Sequence, residues 1–152
     1  MLSMQNASQK ERIVREAARL LAPGGRYGIH ELCLTEDDID APMRRLINRE
    51  LSLQIHVGVQ PPTESEWRSL LERNGFEVTR VIRAPMHLLE PARIFRDEGL
   101  SGVLRILFNA LHDAEARQRA LAMRGLFRRF EHQLSTICLI AVRRPDDSRV
   151  GD

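Results

Sequence analysis

A proline followed by two glycines separates a helix from a strand near the start of this chain, at residues 21–25 (LAPGG). Ahead of this turn, Ser8 and Glu11 fit a capping box that opens an amphipathic helix. Because Pro23 lacks an amide hydrogen and glycine tolerates left-handed backbone, the helix is expected to end here. Residues 27–34 form a mostly apolar run that is too short for a helix, which predicts a strand covered on both faces. The apolar face predicted for the helix consists of Ile13, Val14, Ala17, Leu20 and Leu21.

A second helix, turn and strand follow after a segment of different character. Residues 35–60 begin with acidic side chains and then carry an apolar residue at every fourth position, which predicts a helix. Two prolines stop it, and a capping box from Thr63 to Glu66 starts the next helix. Gly75 closes that helix, and residues 76–83 alternate imperfectly, as an edge strand does. The expected buried residues are Met43, Ile47, Leu51, Ile55, Trp67, Leu70, Leu71, Phe76, Val78 and Ile82.

The last third of the chain is predicted to be helical up to a final strand. Residues 100–111 repeat apolar side chains at the spacing of one helix face. Asp113 is placed to cap a further helix. Residues 137–142 are continuously apolar, the pattern of a buried central strand, and residues 146–152 form a polar, flexible tail. The stripe predicted for the last helix consists of Ala116, Ala120, Met123, Phe127, Phe130 and Leu134.

The composition argues against several classes of function. Arginine supplies all but one of the 23 basic residues, yet the net charge is only +2, so no strong field favours nucleic acid or a membrane surface. No apolar stretch approaches the ~20 residues of a membrane span and no signal peptide is recognisable, so the cytoplasm is the expected location. Cys33 and Cys138 lie far apart in apolar runs, as reduced core thiols do. The five histidines lack metal-ligand spacing, so no metal site is expected.

In this order, the L-x-P-G-G turn and the elements around it resemble the C-terminal half of class I S-adenosylmethionine-dependent methyltransferases. The resemblance covers residues 1–145 and implies a partial Rossmann-like α/β sheet. Its strands would be the family's fifth, sixth and seventh, with the seventh antiparallel and inserted between the other two. Residues 35–60 and 87–133 would be helical insertions. Within the family the chain is most similar to the ubiquinone and menaquinone biosynthesis enzymes, a group too broad in substrate to name an acceptor.

The resemblance implies methyl transfer to a small-molecule acceptor by a longer parent enzyme. The family's glycine-rich cofactor turn and its ribose-binding acidic residue have no counterpart here, since the sequence contains no G-x-G-x-x-G pattern. The chain alone is therefore expected to bind S-adenosylmethionine weakly or not at all. Ser3 aligns with a residue that often approaches the methionine part of the cofactor. Met1 is accordingly an internal residue of the parent, the start of a truncated chain or of a misassigned reading frame, or the start of an ordinary flexible N-terminus.

Methyl transfer requires an aligned acceptor and, for some acceptors, the removal of a proton. His30 and Glu31 fall towards the carboxyl end of the first predicted strand, where ligands collect in open α/β sheets, so they are the candidate catalytic residues. The alternative is a buried histidine bonded to backbone and a glutamate paired with an arginine. The family builds its acceptor lid from insertions at these places, which makes His56, Met86 and His87 candidate substrate-binding residues.

An absent fourth strand would leave one edge of residues 27–34 unpaired. Such an edge recruits another strand, either that of a second copy or residues 1–5 folded back over it. Pairing with a second copy satisfies more backbone, so the sequence predicts a homodimer or larger oligomer formed through this edge. The alternative to half of an enzyme is a non-catalytic helical interaction domain. Its apolar insertions would bind a lipid-like ligand or a partner chain.

Overall fold

A three-stranded sheet organises the part of the chain that a computed structural model describes, residues 6–85 and 113–145. The described elements belong to two compact units. The first unit holds the sheet and three helices, and the second, residues 86–131, contains one described helix. In chain order the elements are α1 (Ala7–Leu20), β1 (Arg26–Leu34), α2 (Ala41–Ile55), α3 (Glu64–Arg73), β2 (Phe76–Pro85), α4 (Ala114–Arg129) and β3 (Leu134–Arg143).

The last strand, β3, lies in the centre of the sheet, in the order β1-β3-β2. It is antiparallel to both neighbours, and its ladder with β1 runs from Arg26 opposite Val142 to Leu34 opposite Leu134. The two outer strands therefore run in the same direction. This confirms the predicted α/β fold with the last strand between the two earlier ones. The numbering of these strands within a larger sheet stays a prediction.

Within the described residues, β1 is an edge strand. It pairs with β3 on one side, and on the other side a single parallel bridge joins Leu34 to Thr63. Oligomerisation through this edge stays a prediction.

Burial along β3 alternates, which differs from the predicted strand covered on both faces. Ile137, Leu139 and Ala141 are fully buried, whereas the residues between them are half-buried. The buried set faces the core that the sheet shares with α1 and α3. The strand also begins earlier than predicted, because Leu134 is its first residue and does not belong to the stripe of α4, which ends at Arg129.

One hydrophobic core joins α1, α3 and this face of the sheet. Trp67 is fully buried, and its indole N–H points to the carbonyl oxygen of Leu32 at 3.4 Å. Tyr27 stacks on Phe76 with the ring centroids 5.4 Å apart. Cys33 is a buried free thiol, and burial raises its pKa to about 11, which agrees with its predicted role as a core residue. The core consists of Val14, Ala18, Ile29, Cys33, Trp67, Leu70, Leu71, Phe76, Ile137, Leu139 and Ala141.

The start and the buried face of α1 both differ from the prediction. Asn6, and not Ser8, caps the helix, because its side-chain oxygen accepts from the amide of Gln9 while Gln9 bonds back to the Asn6 amide. The side-chain oxygens of Asn6 and Gln9 each accept from the backbone amide of the other residue, so two amides at the helix start are hydrogen-bonded. The buried face is Lys10, Val14 and Ala18, an i, i+4, i+8 row, whereas the predicted core residues Ile13 and Leu20 are 38% and 68% exposed.

Side chains cap the next two helices. Asp40 caps α2 by accepting from the Met43 amide at 2.8 Å, and Ile47 and Leu51 are fully buried as predicted. Thr63 and Glu66 form the predicted capping box of α3.

A bulge in β2 changes which of its side chains face the core. The register against β3 shifts between Val78 and Arg80, so one extra residue is inserted there. Beyond the bulge Val81, and not the predicted Ile82, packs towards the core, and Ile82 is 46% exposed. A one-residue shift in a strand moves every later side chain to the opposite face.

The Pro-Gly-Gly turn is fastened to the end of β3. Gly24 has a left-handed backbone with φ of 80°, and its amide donates to the Arg143 carbonyl at 2.9 Å. The Arg143 amide donates in return to the carbonyl of Gly25 at 2.8 Å. The Arg143 guanidinium also donates to the carbonyls of Ala18 and Gly75, so one side chain joins the end of α1 to the turn before β2.

Replacing Gly75 with alanine is expected to destabilise the fold. Its φ of 82° is left-handed, and an added Cβ would lie 2.7 Å from the Arg143 guanidinium. Left-handed backbone costs a residue with a side chain about 1–2 kcal/mol. We expect Gly75→Ala to lower the free energy of unfolding in urea by at least that amount.

Two glycines serve as controls for this substitution. Gly24→Ala shares the left-handed backbone but meets no atom within 4 Å, and Gly58→Ala has neither problem. The expected loss is therefore largest for Gly75, smaller for Gly24 and within about 0.5 kcal/mol of zero for Gly58. An equal loss at Gly58 and Gly75 would contradict the role assigned to the turn.

Candidate functional site

The chain between α2 and α3 returns to lie beside the carboxyl end of β1. The Leu34 amide donates to the carbonyl of Pro62 at 3.0 Å, and Leu34 forms the bridge with Thr63. The carboxyl ends of strands are the usual ligand-binding edge of open α/β sheets. The residues around this edge are therefore the candidates for a ligand site.

A cavity of about 370 Å³ lies beside this returning segment and is walled by the three helices of the first unit. This volume is in the range of small-molecule sites, which run from roughly 300 to 1,000 Å³. Its walls combine charged, hydroxyl and apolar groups. The lining residues are Ala7 and Lys10 of α1, Arg44 of α2, Gln60 and Pro62 of the returning segment, and Ser65, Glu66, Ser69, Leu70 and Arg73 of α3.

Lys10 is the most unusual group in the cavity wall, because it is the one lysine of the chain and is only 6% exposed. Its ammonium donates to the carbonyl of Gln60 at 2.6 Å. Burial lowers the pKa of Lys10, since the charged form loses hydration. The carboxylates of Glu66 and Glu31 partly oppose this effect, and Arg44 adds to it.

An arginine holds Glu66 in the cavity wall. The two guanidinium nitrogens of Arg44 donate to its two carboxylate oxygens at 2.8 and 2.7 Å, and the Thr63 amide donates to one of them at 2.9 Å. Burial would raise the pKa of Glu66, but the hydrogen bonds from Arg44 and Thr63 outweigh it, so the pKa is lowered. Glu66 is therefore an anion that already has its cation, and it fixes α2 against the start of α3.

A second arginine–glutamate pair joins α1 to the end of α3. Arg73 donates twice to one oxygen of Glu11, at 2.9 and 2.7 Å, and the Asn74 amide group donates to the other at 2.7 Å. The hydrogen bond from Arg73 lowers the pKa of Glu11. This exposed pair contributes little stability by itself, but it sets the position of Arg73 at the cavity wall.

The structure places the candidate catalytic residues His30 and Glu31 in the middle of β1, facing opposite sides of the sheet. They stand opposite Cys138 and Ile137 in the ladder, three or more residues before the strand ends. His30 is exposed, whereas Glu31 is buried on the face shared with Ile29. Neither lines the cavity. Because neighbouring residues of a strand point in opposite directions, the two side chains do not converge on one substrate atom.

The candidate substrate residue His56 ends α2. It adopts a left-handed conformation with φ of 59°, as the C-terminal cap of the helix, and its side chain is exposed. This backbone explains its place after the last apolar residue of the helix, since a left-handed residue commonly closes a helix. His56 does not line the cavity. The other candidates, Ser3, Met86 and His87, lie outside the described residues.

The residues that form the cavity are not among the candidates that the sequence predicts. The available signal was Lys10, a charged residue in the row with Val14 and Ala18 that the structure buries. No local pattern predicts the contact between Arg44, Glu66 and the returning segment, because they are far apart in sequence.

In the described ranges 6–85 and 113–145, no three His, Cys, Asp or Glu side chains come together as metal ligands. No helix in these ranges combines the length and apolar character needed to cross a membrane.

No protein-family model matches the sequence. An uncharacterized protein of Haemophilus influenzae is 30% identical over 139 residues, which are 91% of this chain and 53% of that protein. The chain thus spans about half the length of the relative that it matches.

Solved structures share the fold. The cyclopropane synthase MmaA2 from Mycobacterium tuberculosis matches with a TM-score of 0.60 and 18% identity, over 90% of this chain and 50% of that one. A SAM-dependent methyltransferase from Geobacter sulfurreducens was solved in complex with S-adenosylhomocysteine. It matches with a TM-score of 0.51 and 16% identity, over 84% of this chain and 49% of that one. At these identities the likeness establishes the fold. This chain therefore has the fold of about half of a SAM-dependent methyltransferase.

The buried lysine predicts a stability that depends on pH. Because the folded pKa of Lys10 is below its ordinary value of 10.5, the unfolded chain binds more protons between the two values. The wild type therefore gains stability as pH rises through the lowered pKa towards 10.5. We expect Lys10→Met to exceed the wild type in unfolding free energy by more at about pH 7 than at about pH 10.

Arg12→Met is the matched control for this comparison, because it removes an exposed cation from the same helix. Its difference from the wild type should not change over this range, since guanidinium groups stay protonated. Urea unfolding at both pH values measures the two differences. A Lys10→Met difference that is equal at both values, or larger at the higher one, would contradict the burial of the charge.

Proposed function

We propose that this chain is the acceptor-side half of a class I methyltransferase, which transfers a methyl group from S-adenosylmethionine to a small molecule. The observation that carries the proposal is the sheet, in which an antiparallel last strand lies between two parallel ones, together with its match to about half of known methyltransferase structures. In this proposal β1, β2 and β3 are the fifth, sixth and seventh strands of the complete sheet. An acceptor of the ubiquinone or menaquinone type is a finer proposal that rests on the sequence resemblance.

The described residues do not fit the cofactor by themselves. A glycine-rich cradle lets backbone amides approach a ligand, but Gly24 and Gly25 are occupied in bonding the end of β3. The proposed cofactor site therefore lies mainly in the other half of the enzyme.

The proposed place of the acceptor is the cavity beside the carboxyl end of β1. Its residues would bind the acceptor, exclude water and hold its orientation, which is most of what a methyl transfer requires of the protein. Glu31 is proposed to act from the sheet through its charge, which acts to raise the pKa of Lys10 and of Tyr27. His30 faces the opposite side of the sheet and is the weaker candidate.

The division of the enzyme into halves predicts a difference in cofactor binding between two proteins. We expect S-adenosylhomocysteine, titrated calorimetrically, to bind the longer Haemophilus influenzae relative with a Kd below ~100 μM, and to bind this chain with a Kd above ~1 mM. An absence of binding to the relative would count against the cofactor. Micromolar binding to this chain would count against the division of the site.

The role of Glu31 is testable in a longer protein that binds the cofactor. Glu31→Gln keeps the shape and removes the charge, so turnover should fall at least about tenfold, which corresponds to about 1.4 kcal/mol of transition-state stabilisation, while cofactor affinity stays within about twofold. Glu77→Gln, an exposed carboxylate on β2, is the control and should leave turnover unchanged. Equal turnover of Glu31→Gln and wild type, with both proteins equally folded, would return Glu31 to a structural role.

A further inference from the structure

The electrostatic balance of the cavity is incomplete at Lys10. A lysine ammonium has three hydrogens to donate. Within the described residues its one hydrogen bond goes to the neutral carbonyl of Gln60. Leaving a buried charge without an opposite charge in contact is costly, so native proteins pair such groups.

The nearby carboxylates are already engaged by arginines. Glu66 binds Arg44 and the backbone of Thr63, and Glu11 binds Arg73. The lining itself holds three cations, Lys10, Arg44 and Arg73, against the single carboxylate of Glu66. Glu31 acts on Lys10 from the sheet side, outside the lining. Lys10 is therefore the cation of this lining that has no carboxylate in hydrogen-bond contact among the described residues.

The start of α1 also presents a positive potential to the cavity. Ala7, the first residue of the helix, lines the cavity, and the first turn of α1 contains no acidic side chain. The N-terminal end of a helix carries a partial positive charge and free amide hydrogens, both of which favour an anion. At α3, by contrast, Asp37 already occupies the amide of Ser65.

The rest of the wall suits an apolar body. Leu70 and Pro62 present hydrocarbon surface, while Ser69 and Gln60 add polar groups beside it. A volume of about 370 Å³ accommodates a small organic molecule rather than a bare ion.

We infer that this cavity binds a small organic acid, whose carboxylate or phosphate group pairs with Lys10 near the start of α1 and whose apolar body lies against Leu70. The inference builds on the proposed function, because it gives the acceptor an acidic group. Its test uses probe ligands and this chain alone, so that failure of the anion site and failure of methyl transfer are distinguishable.

The first experiment compares an anion with its neutral isostere. Benzoate, benzamide and phenyl phosphate are titrated calorimetrically into the chain. We expect one or both acids to bind at least tenfold more tightly than benzamide, and the tighter acid identifies the preferred head group. Equal binding of all three, or no binding of either acid, would overturn the inference.

The second experiment removes the charge. Lys10→Met should weaken binding of the preferred acid by about ten- to a hundredfold, the size of a hydrogen bond to a charged group. Lys10→Arg should recover part of the loss, and the exposed control Arg12→Met should bind as the wild type does. Unchanged affinity in Lys10→Met would overturn the inference.

The third experiment needs no variant at Lys10. Lys10 is the only lysine of the chain, and tandem mass spectrometry separates acylation at Lys10 from acylation at the α-amino group of Met1 on the same N-terminal peptide, so an amine-reactive ester reports on Lys10. We expect the preferred acid, but not benzamide, to slow acylation at least threefold, and Ser69→Trp, which fills the cavity, to abolish the protection. Equal rates with and without the acid would overturn the inference.

Discussion

The structure of the first unit depends on β3, because this strand supplies the hydrogen bonds of both outer strands. Within the described sheet, β1 and β2 do not pair with each other, and each forms its backbone hydrogen bonds with β3. The core on the covered face follows from the same arrangement, since Ile137, Leu139 and Ala141 lie between the side chains of the outer strands and beneath α1 and α3. The turn at Gly24 and the guanidinium of Arg143 then fasten the end of β3 to the turns that begin its two neighbours.

The cavity is a consequence of how charges fix the helices around this sheet. Arg44 joins α2 to α3 through Glu66, and Arg73 joins α3 to α1 through Glu11. Each exposed pair is worth little in free energy. Together they determine where the three helix ends stand, and the space that remains between those ends contains Lys10. Both carboxylates then accept hydrogen bonds from arginines and not from the lysine.

The elements of the fold could be predicted from sequence because their signals are local. The capping box at Thr63, the left-handed Gly75 and the apolar run around Leu139 each depend on a few neighbouring residues. The errors arose where the decisive contact is distant. The bulge that exposes Ile82 depends on pairing with β3, and the rotation of α1 that buries Lys10 depends on packing against α3 and the sheet.

The candidate site was less predictable than the fold for the same reason. His30 and Glu31 are adjacent in sequence, but alternation along a strand separates them across the sheet. The cavity residues come from three helices and a returning segment, so their contact is a property of the tertiary structure.

The central place of β3 also sets an order of events during synthesis on the ribosome. The strands β1 and β2 emerge first, yet each lacks its hydrogen-bonding partner until the later segment that follows α4 has left the exit tunnel. Pairings between distant parts of a chain form slowly, because a long loop must close before the contact is gained. Until then the nascent chain exposes strand edges with unpaired backbone groups, the kind of surface that pairs with other chains and leads to aggregation.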